Sequence, residues 1–106
     1  MNLGKSTVKA VATHREAKAE LDAEISYYNH IRDGLGDEFV NEVEKTFRRI
    51  QKMSRTGTPL ANGFRRMRVE RFPFWVIYRE EKDRIWIIAI EHGRRRPGYW
   101  ARRMDS

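Results

Sequence analysis

Apolar residues recur along this chain with two different periods, and the change from one to the other divides it. In "THREAKAELDAEISYYNHIRDGLG", Leu21, Ile25, Tyr28, Ile31 and Leu35 recur at steps of four, three, three and four residues, a single stripe along a helix. Thr13 followed by Glu16 has the form of a capping box, which makes Thr13 the expected N-cap. Gly34 is suited to the left-handed conformation that ends a helix. A second stripe follows almost at once: Val40, Val43, Phe47 and Ile50, with Phe39 and Met53 widening its face and Asp37 as the expected N-cap. So short a gap predicts antiparallel neighbours, an αα-hairpin.

Elsewhere the period is two. "STVKAVAT" (6–13) alternates as a short strand. After a loop rich in Gly, Pro, Ser, Thr and Asn (54–63), "FRRMRVERF" (64–72) alternates Met67 and Val69 against Arg66, Arg68 and Glu70. Pro73 marks a tight turn, "FWVIYRE" (74–80) is dense in β-branched and aromatic residues, and residues 81–83 form another turn. "RIWIIAIE" (84–91) is apolar on both faces, as in a strand inside a sheet. The expected fold is α+β, in the order β-α-α-β-β-β, with the helical hairpin packed on an antiparallel sheet.

A length of 106 residues suits one domain spanning 1–106. The absence of cysteine excludes disulfides, thiolate metal sites and cysteine nucleophiles, and agrees with a reducing cytoplasm. No leader is recognisable at the start, and the longest apolar run, Ile85 to Ile90, is too short to cross a bilayer, so no membrane association is expected. No glycine-rich phosphate loop follows a strand. His14, His30 and His92 fall at three separate places, so neither a metal site nor a cofactor is expected.

Charge changes the picture. The net +7 lies wholly in residues 54–106, which carry thirteen Lys/Arg against six Asp/Glu, and all but Lys82 of those cations are arginine. Arginine's planar fork suits phosphate, carboxylate and flat surfaces, so a polyanionic partner, nucleic acid or acidic protein, stands beside the alternative of solvated strand faces. One group is Arg65, Arg66, Arg68 and Arg71, with Arg66 and Arg68 on one strand face and Arg65 and Arg71 on the side of Met67 and Val69, toward the helices. The other is "HGRRRPGYW" (92–100), directly after the last strand, with Arg102 and Arg103 beyond it. Aromatics among arginines suit base stacking and protein hot spots alike. Tyr99 and Trp100 have a second reading, as side chains folded back over the sheet. Phe72, Phe74, Trp75, Tyr78 and Trp86 read as core and sheet surface, of which an exposed subset would form a groove for a partner helix.

Four segments, "EAKAELDAEISYYNHI", "GDEFVNEVEKTFRRI", "RRMRVERFPFWVIYREE" and "IWIIAIEHGRRRPGYWARR", together resemble the ParE/RelE superfamily of type II toxins on its ParE-like side, over residues 8 to about 103. The resemblance implies a cytoplasmic, plasmid-stabilisation type of toxin held inactive by a cognate antitoxin, with Tyr28, Phe47, Trp75 and Trp86 as candidate antitoxin contacts. ParE-like members poison DNA gyrase through protein contacts, and that reading puts target binding on Arg94, Arg95, Arg96, Tyr99, Trp100, Arg102 and Arg103. RelE-like members are ribosome-dependent endoribonucleases acting on mRNA, and that alternative puts catalysis on Arg71, His92, Arg95 and Tyr99, with Arg65 as a further basic residue. Lys45 and Lys52 are the only lysines between positions 19 and 81, a departure from the lysine-rich ribonuclease members that favours the non-enzymatic reading. A third alternative is an inactive copy that serves only as an antitoxin-binding partner.

Overall fold

A computed structural model describes residues 8–105. The chain forms β1 (Ala10–Thr13), α1 (Arg15–Ile31), α2 (Leu35–Lys52), β2 (Thr58–Pro59), β3 (Arg65–Arg68), β4 (Phe74–Glu80) and β5 (Arg84–His92), and ends in a 3-10 helix, Ala101–Asp105. The sheet order is β1-β5-β4-β3-β2. β2 through β5 pair antiparallel, as the meander requires, while β1 joins β5 in parallel, so the sheet as a whole is mixed. The two-residue β2 lies inside the expected loop. Of the expected strand 6–13, residues 6 and 7 lie outside the described residues.

Three boundaries differ from expectation. Thr13 is still in β1, opposite Ile87, and the His14 amide donates to the Ile87 carbonyl at 2.8 Å. The strand ladder therefore holds Thr13, and His14 becomes the N-cap of α1, its Nδ1 accepting from the Glu16 amide at 3.0 Å. At the second helix, Gly34 (φ 87°) takes the left-handed cap and α2 starts at Leu35, which puts Asp37 in the first turn rather than before it. Gly36 is where the helices touch: its amide donates to Asn29 Oδ1 at 2.7 Å, and a Cβ would collide with the Ile25 carbonyl and the Asn29 side chain. Third, β3 stops at Arg68, because the chain turns through Val69–Pro73 with Arg71 in the left-handed region (φ 70°).

Both helices lie on one face of the sheet. Leu21, Phe39, Val43 and Ile50 bury their side chains against Met67, Phe74, Val76, Tyr78, Ile85 and Ile87, with Ile25, Tyr28, Leu35 and Phe47 packed around them. Ile31 and Met53, expected in the stripes, are 58% and 53% exposed; they stand at the last residue of α1 and at the C-cap of α2.

The opposite face carries a second cluster, Phe64, Ile77, Ile88, Ala89 and Trp100. β5 contributes two consecutive residues to it because it bulges there. Its pairing advances from Ile87 to Ala89 while β4 steps only from Tyr78 to Ile77, so Ile88 is the extra residue. Among the described residues no helix is long and apolar enough to cross a membrane.

Candidate functional site

The segment after β5 is a folded strap. The Gly93 amide donates to the Pro73 carbonyl at 2.8 Å, the Arg95 amide to the His92 carbonyl at 2.9 Å, and Gly98 (φ 76°) turns the chain. Trp100 is then laid on the second cluster, 5.4 Å from Phe64 between ring centroids, and its indole N–H donates to Glu91 Oε1 at 3.1 Å. Burial raises the Glu91 carboxyl above its ordinary range, against the pull of the Trp100 hydrogen bond.

What clamps the strap follows from the short first strand. β1 covers β5 only from Arg84 to Ile87. Beyond that point two charged side chains take the place of a strand. Glu20 Oε1 accepts from the Ile90 amide at 3.1 Å, and Arg103 Nη1 donates to the Ile88 carbonyl at 3.1 Å. The two then pair with each other, Arg103 Nη1 and Nη2 lying 3.0 and 2.9 Å from the Glu20 oxygens. Burial opposes the Arg103 charge, but Glu20 overrides it, and the guanidinium pKa is raised. Arg102 makes a parallel bidentate pair with Glu16, at 3.2 and 2.9 Å. Tyr99 donates its hydroxyl to Glu20 Oε2 at 2.6 Å, and burial together with that bond pushes its pKa upward.

The residues proposed for phosphate chemistry are partly gathered. His92, Arg95 and Tyr99 line one cavity of about 260 Å³ with Glu20, Ala23, Glu24, Phe74 and Ile90. Arg95 stacks on the Tyr99 ring at 3.8 Å, and burial raises the Glu24 carboxyl while His92 pulls it the other way. Arg71 does not line this cavity. Its left-handed backbone turns it onto α2, where it meets Glu38 at 2.7 Å and Glu42 at 3.5 Å. Arg65 donates to the Arg55 and Gly57 carbonyls at 3.0 and 2.8 Å. Among the described residues no group of three or more His, Asp or Glu is placed to hold a metal ion.

The candidate target-binding residues divide. Arg102 and Arg103 are tied to α1, Arg103 being 4% exposed, and Trp100 is buried. Arg94 and Arg96 are exposed and make no ion pair among the described residues. Near them Arg66 and Arg68 stack over Trp75, at 4.1 and 5.6 Å, and a Cβ on Gly93 would lie 4.0 Å from the Trp75 indole nitrogen. The candidate antitoxin contacts also divide. Tyr28 packs with Phe39, Phe72 and Phe74 and Phe47 joins the helix-side core, whereas Trp75 and Trp86 belong to the other face. Sequence reasoning did not find Glu20 and Glu91, and assigned Glu16 only to a capping box and not to Arg102. The available signals were the four-residue spacing of Glu16 and Glu20 on α1 and a lone carboxylate ending an apolar strand.

The family model described as the ParE toxin of the type II toxin-antitoxin system, parDE, matches residues 11–97. The chain belongs to the ParE toxin family. Its fold is also that of a solved structure titled as the chromosomal ParDE TA system from P. aeruginosa, at a TM-score of 0.70 and 23% identity, covering 82% of this chain and 98% of that one. No curated protein matches the chain in sequence. Within this ParE-family chain the family match includes Arg94–Arg96 and ends before the clamping residues Tyr99, Trp100, Arg102 and Arg103.

Proposed function

We propose that this ParE-family toxin acts in the cytoplasm by binding DNA gyrase and blocking its cycle after strand cleavage, and that a cognate antitoxin neutralises it. The observation that carries the non-catalytic half of this reading is the capture of Tyr99 by Glu20. A phenol that donates to a carboxylate, with its pKa raised, is a poor proton carrier at neutral pH. Arg71 is likewise spent on Glu38 and Glu42, away from the cavity that holds His92 and Arg95. For target attachment the reading relies on exposed arginines that make no ion pair among the described residues, Arg94 and Arg96, with Arg66, Arg68 and Trp75 beside them. For the antitoxin it uses the rim of α1, where Tyr27 and Ile31 are 59% and 58% exposed next to half-buried Tyr28.

The convergence of His92, Arg95 and Tyr99 on one cavity favours a second reading, ribosome-dependent mRNA cleavage. Purified protein in gyrase supercoiling and cleavage assays, and in parallel with programmed ribosomes, separates the two. Trapped double-strand breaks are expected. Cleaved mRNA with undisturbed gyrase would overturn the proposal, and inactivity in both assays with normal antitoxin binding would leave only the antitoxin-partner role.

A further inference from the structure

The strap is not the only cationic surface. On the outer side of α2, Lys45, Arg48, Arg49 and Lys52 line a shallow depression of about 310 Å³ whose one other lining residue is Glu70. At 100° per residue these four positions fall within about a third of the helix circumference and extend along about 10 Å of its axis. Glu70 stands 3.7 Å from Arg49 and is itself 69% exposed at its side chain, and Lys45 is 3.6 Å from Glu42. Arg48 and Lys52 make no ion pair among the described residues. Arg49 is held in place, donating to Thr46 Oγ1 at 3.0 Å and to the Arg68 carbonyl at 3.1 Å.

Two ordinary explanations leave part of this stripe over. Cations in the last turn of a helix offset its dipole, which covers Arg49 and Lys52. That effect fades within a turn, so Lys45 and Arg48 fall outside it. Pairing with carboxylates along the helix covers Lys45 alone. A protein partner would seek an apolar or aromatic anchor among the charges, and the depression has none. A row of exposed cations around one hydrogen-bonded guanidinium, with no apolar or aromatic side chain lining it, is instead what a phosphodiester backbone needs: charges at several points along a line, with no base or side-chain pocket to read.

We infer that the outer face of α2 is a nucleic-acid backbone contact, with Arg48, Arg49, Lys45 and Lys52 each facing a phosphate. It is separate from the strap, lies on the helix layer, and does not depend on which target the toxin attacks. On a gyrase–DNA complex it would favour the DNA-loaded form, because the contact adds only when DNA is present.

The test measures binding of the full chain to a short random-sequence DNA duplex, and to an RNA duplex of the same sequence, by fluorescence anisotropy over a range of salt. No gyrase or antitoxin is present, so failure here leaves the proposed function untouched. The variant Arg48→Ala/Lys52→Ala is compared with Arg15→Ala/Lys82→Ala, which removes the same charge from exposed positions elsewhere. Circular dichroism melts check that both remain folded. The expected result is that the α2 variant lowers the slope of log affinity against log salt by about two, and the control by less than one. The duplex that shows this difference, DNA or RNA, identifies the source of the phosphates. Equal losses in the two variants would overturn the inference. So would tighter α2-dependent binding to polyglutamate than to either duplex, which would assign the stripe to an acidic protein segment.

Discussion

The sheet face under the helices is covered by an apolar cluster that includes Phe39, Val43, Ile50, Phe74, Val76, Ile85 and Ile87, with the buried Glu42 of α2 paired with Arg71 and Lys45. The face under the strap has a smaller apolar cluster among the described residues, Phe64, Ile77, Ile88, Ala89 and Trp100, and is finished by other means. There Glu91 bonds Trp100, Arg79 stacks on Phe64 at 4.6 Å, Arg84 on Trp86 at 4.2 Å and Arg66 on Trp75 at 4.1 Å, while the Glu20–Arg103 pair closes the sheet edge. The first face is held mainly by dispersion and the hydrophobic effect, which do not depend on side-chain titration. The second is held by geometry-dependent polar contacts, each worth less alone. The fold therefore rests on the helix side, and the segment proposed to meet the target rests on contacts that can be altered one at a time.

The largest effect should come from breaking the first face. Phe39→Ala removes a fully buried ring that meets Tyr28, Phe72 and Phe74 at 5.2, 5.1 and 5.0 Å between centroids. The expected loss is about 3–5 kcal/mol in denaturant-midpoint experiments, enough to unfold a marginal domain. A loss below about 1 kcal/mol would mean that the two faces contribute alike.

Next in size is Glu20→Ala. It removes the bidentate partner of a guanidinium that is 5% exposed at its side chain, frees the Tyr99 hydroxyl and takes away the Glu20 acceptor of the Ile90 amide. About 3 kcal/mol is expected, since a buried charge loses its bidentate partner and keeps only the longer contact to Glu16, at 3.7 Å. Hydrogen exchange should show the strap opening while the amides of α2 stay protected. If α2 loses protection in step, the strap is part of one cooperative unit with the helix-side core.

The strand and helix periods made the helix-side face legible beforehand, because burial there repeats at fixed intervals: β4 was bounded at Phe74–Glu80, and Phe39, Val43 and Ile50 were placed in the core. The strap was not legible in the same way. Its clamps join Glu16 to Arg102 and Glu20 to Arg103, more than eighty positions apart, and no local pattern encodes which of five neighbouring arginines finds a carboxylate. The cap at His14 escaped for a related reason: the capping-box rule weighs local hydrogen bonds only, whereas the pairing of Thr13 with β5 is tertiary. Arg71 was expected on the side of the helices and is found there, but its left-handed backbone, which turns it onto Glu38 and not into the cavity of His92, Arg95 and Tyr99, has no signature in "VERFPF".

Glu91 offers a smaller and pH-dependent contrast. Its folded-state pKa is raised by burial, with Arg66 and Arg95 pulling it down and Glu20 adding to the rise. Between the ordinary value of 4.5 and the raised folded value, the folded chain holds a proton that the unfolded chain has released. The Glu91 contribution is therefore least favourable at neutral pH and improves as the pH falls through the folded pKa. Glu91→Gln keeps an acceptor for the Trp100 indole and removes the charge. It should raise the Tm at pH 7 by a few degrees, with the advantage shrinking on acidification and absent below the ordinary carboxylate range. A constant advantage at every pH would indicate a packing effect instead.

The smallest effect on stability should come from the residues proposed to matter most for the target. Arg94 and Arg96 are exposed and make no ion pair among the described residues, so Arg94→Ala/Arg96→Ala should change stability by no more than about 0.5 kcal/mol. Arg102 and Arg103 lie only a few residues on, but they are tied to Glu16 and Glu20, and their removal should loosen the strap. The pair of variants separates two roles that the sequence merges into one basic segment. If the free arginines steer association, the first variant slows binding to gyrase and flattens its salt dependence, with the melt unchanged. The second weakens binding only as far as it loosens Tyr99 and Trp100, and a restored strap, for example through Arg102→Lys with Arg103 kept, restores it. Equal loss of binding from both variants, with the strap still protected from exchange after Arg102→Ala, would mean that Arg102 meets the target directly and that its pairing with Glu16 belongs only to the free toxin.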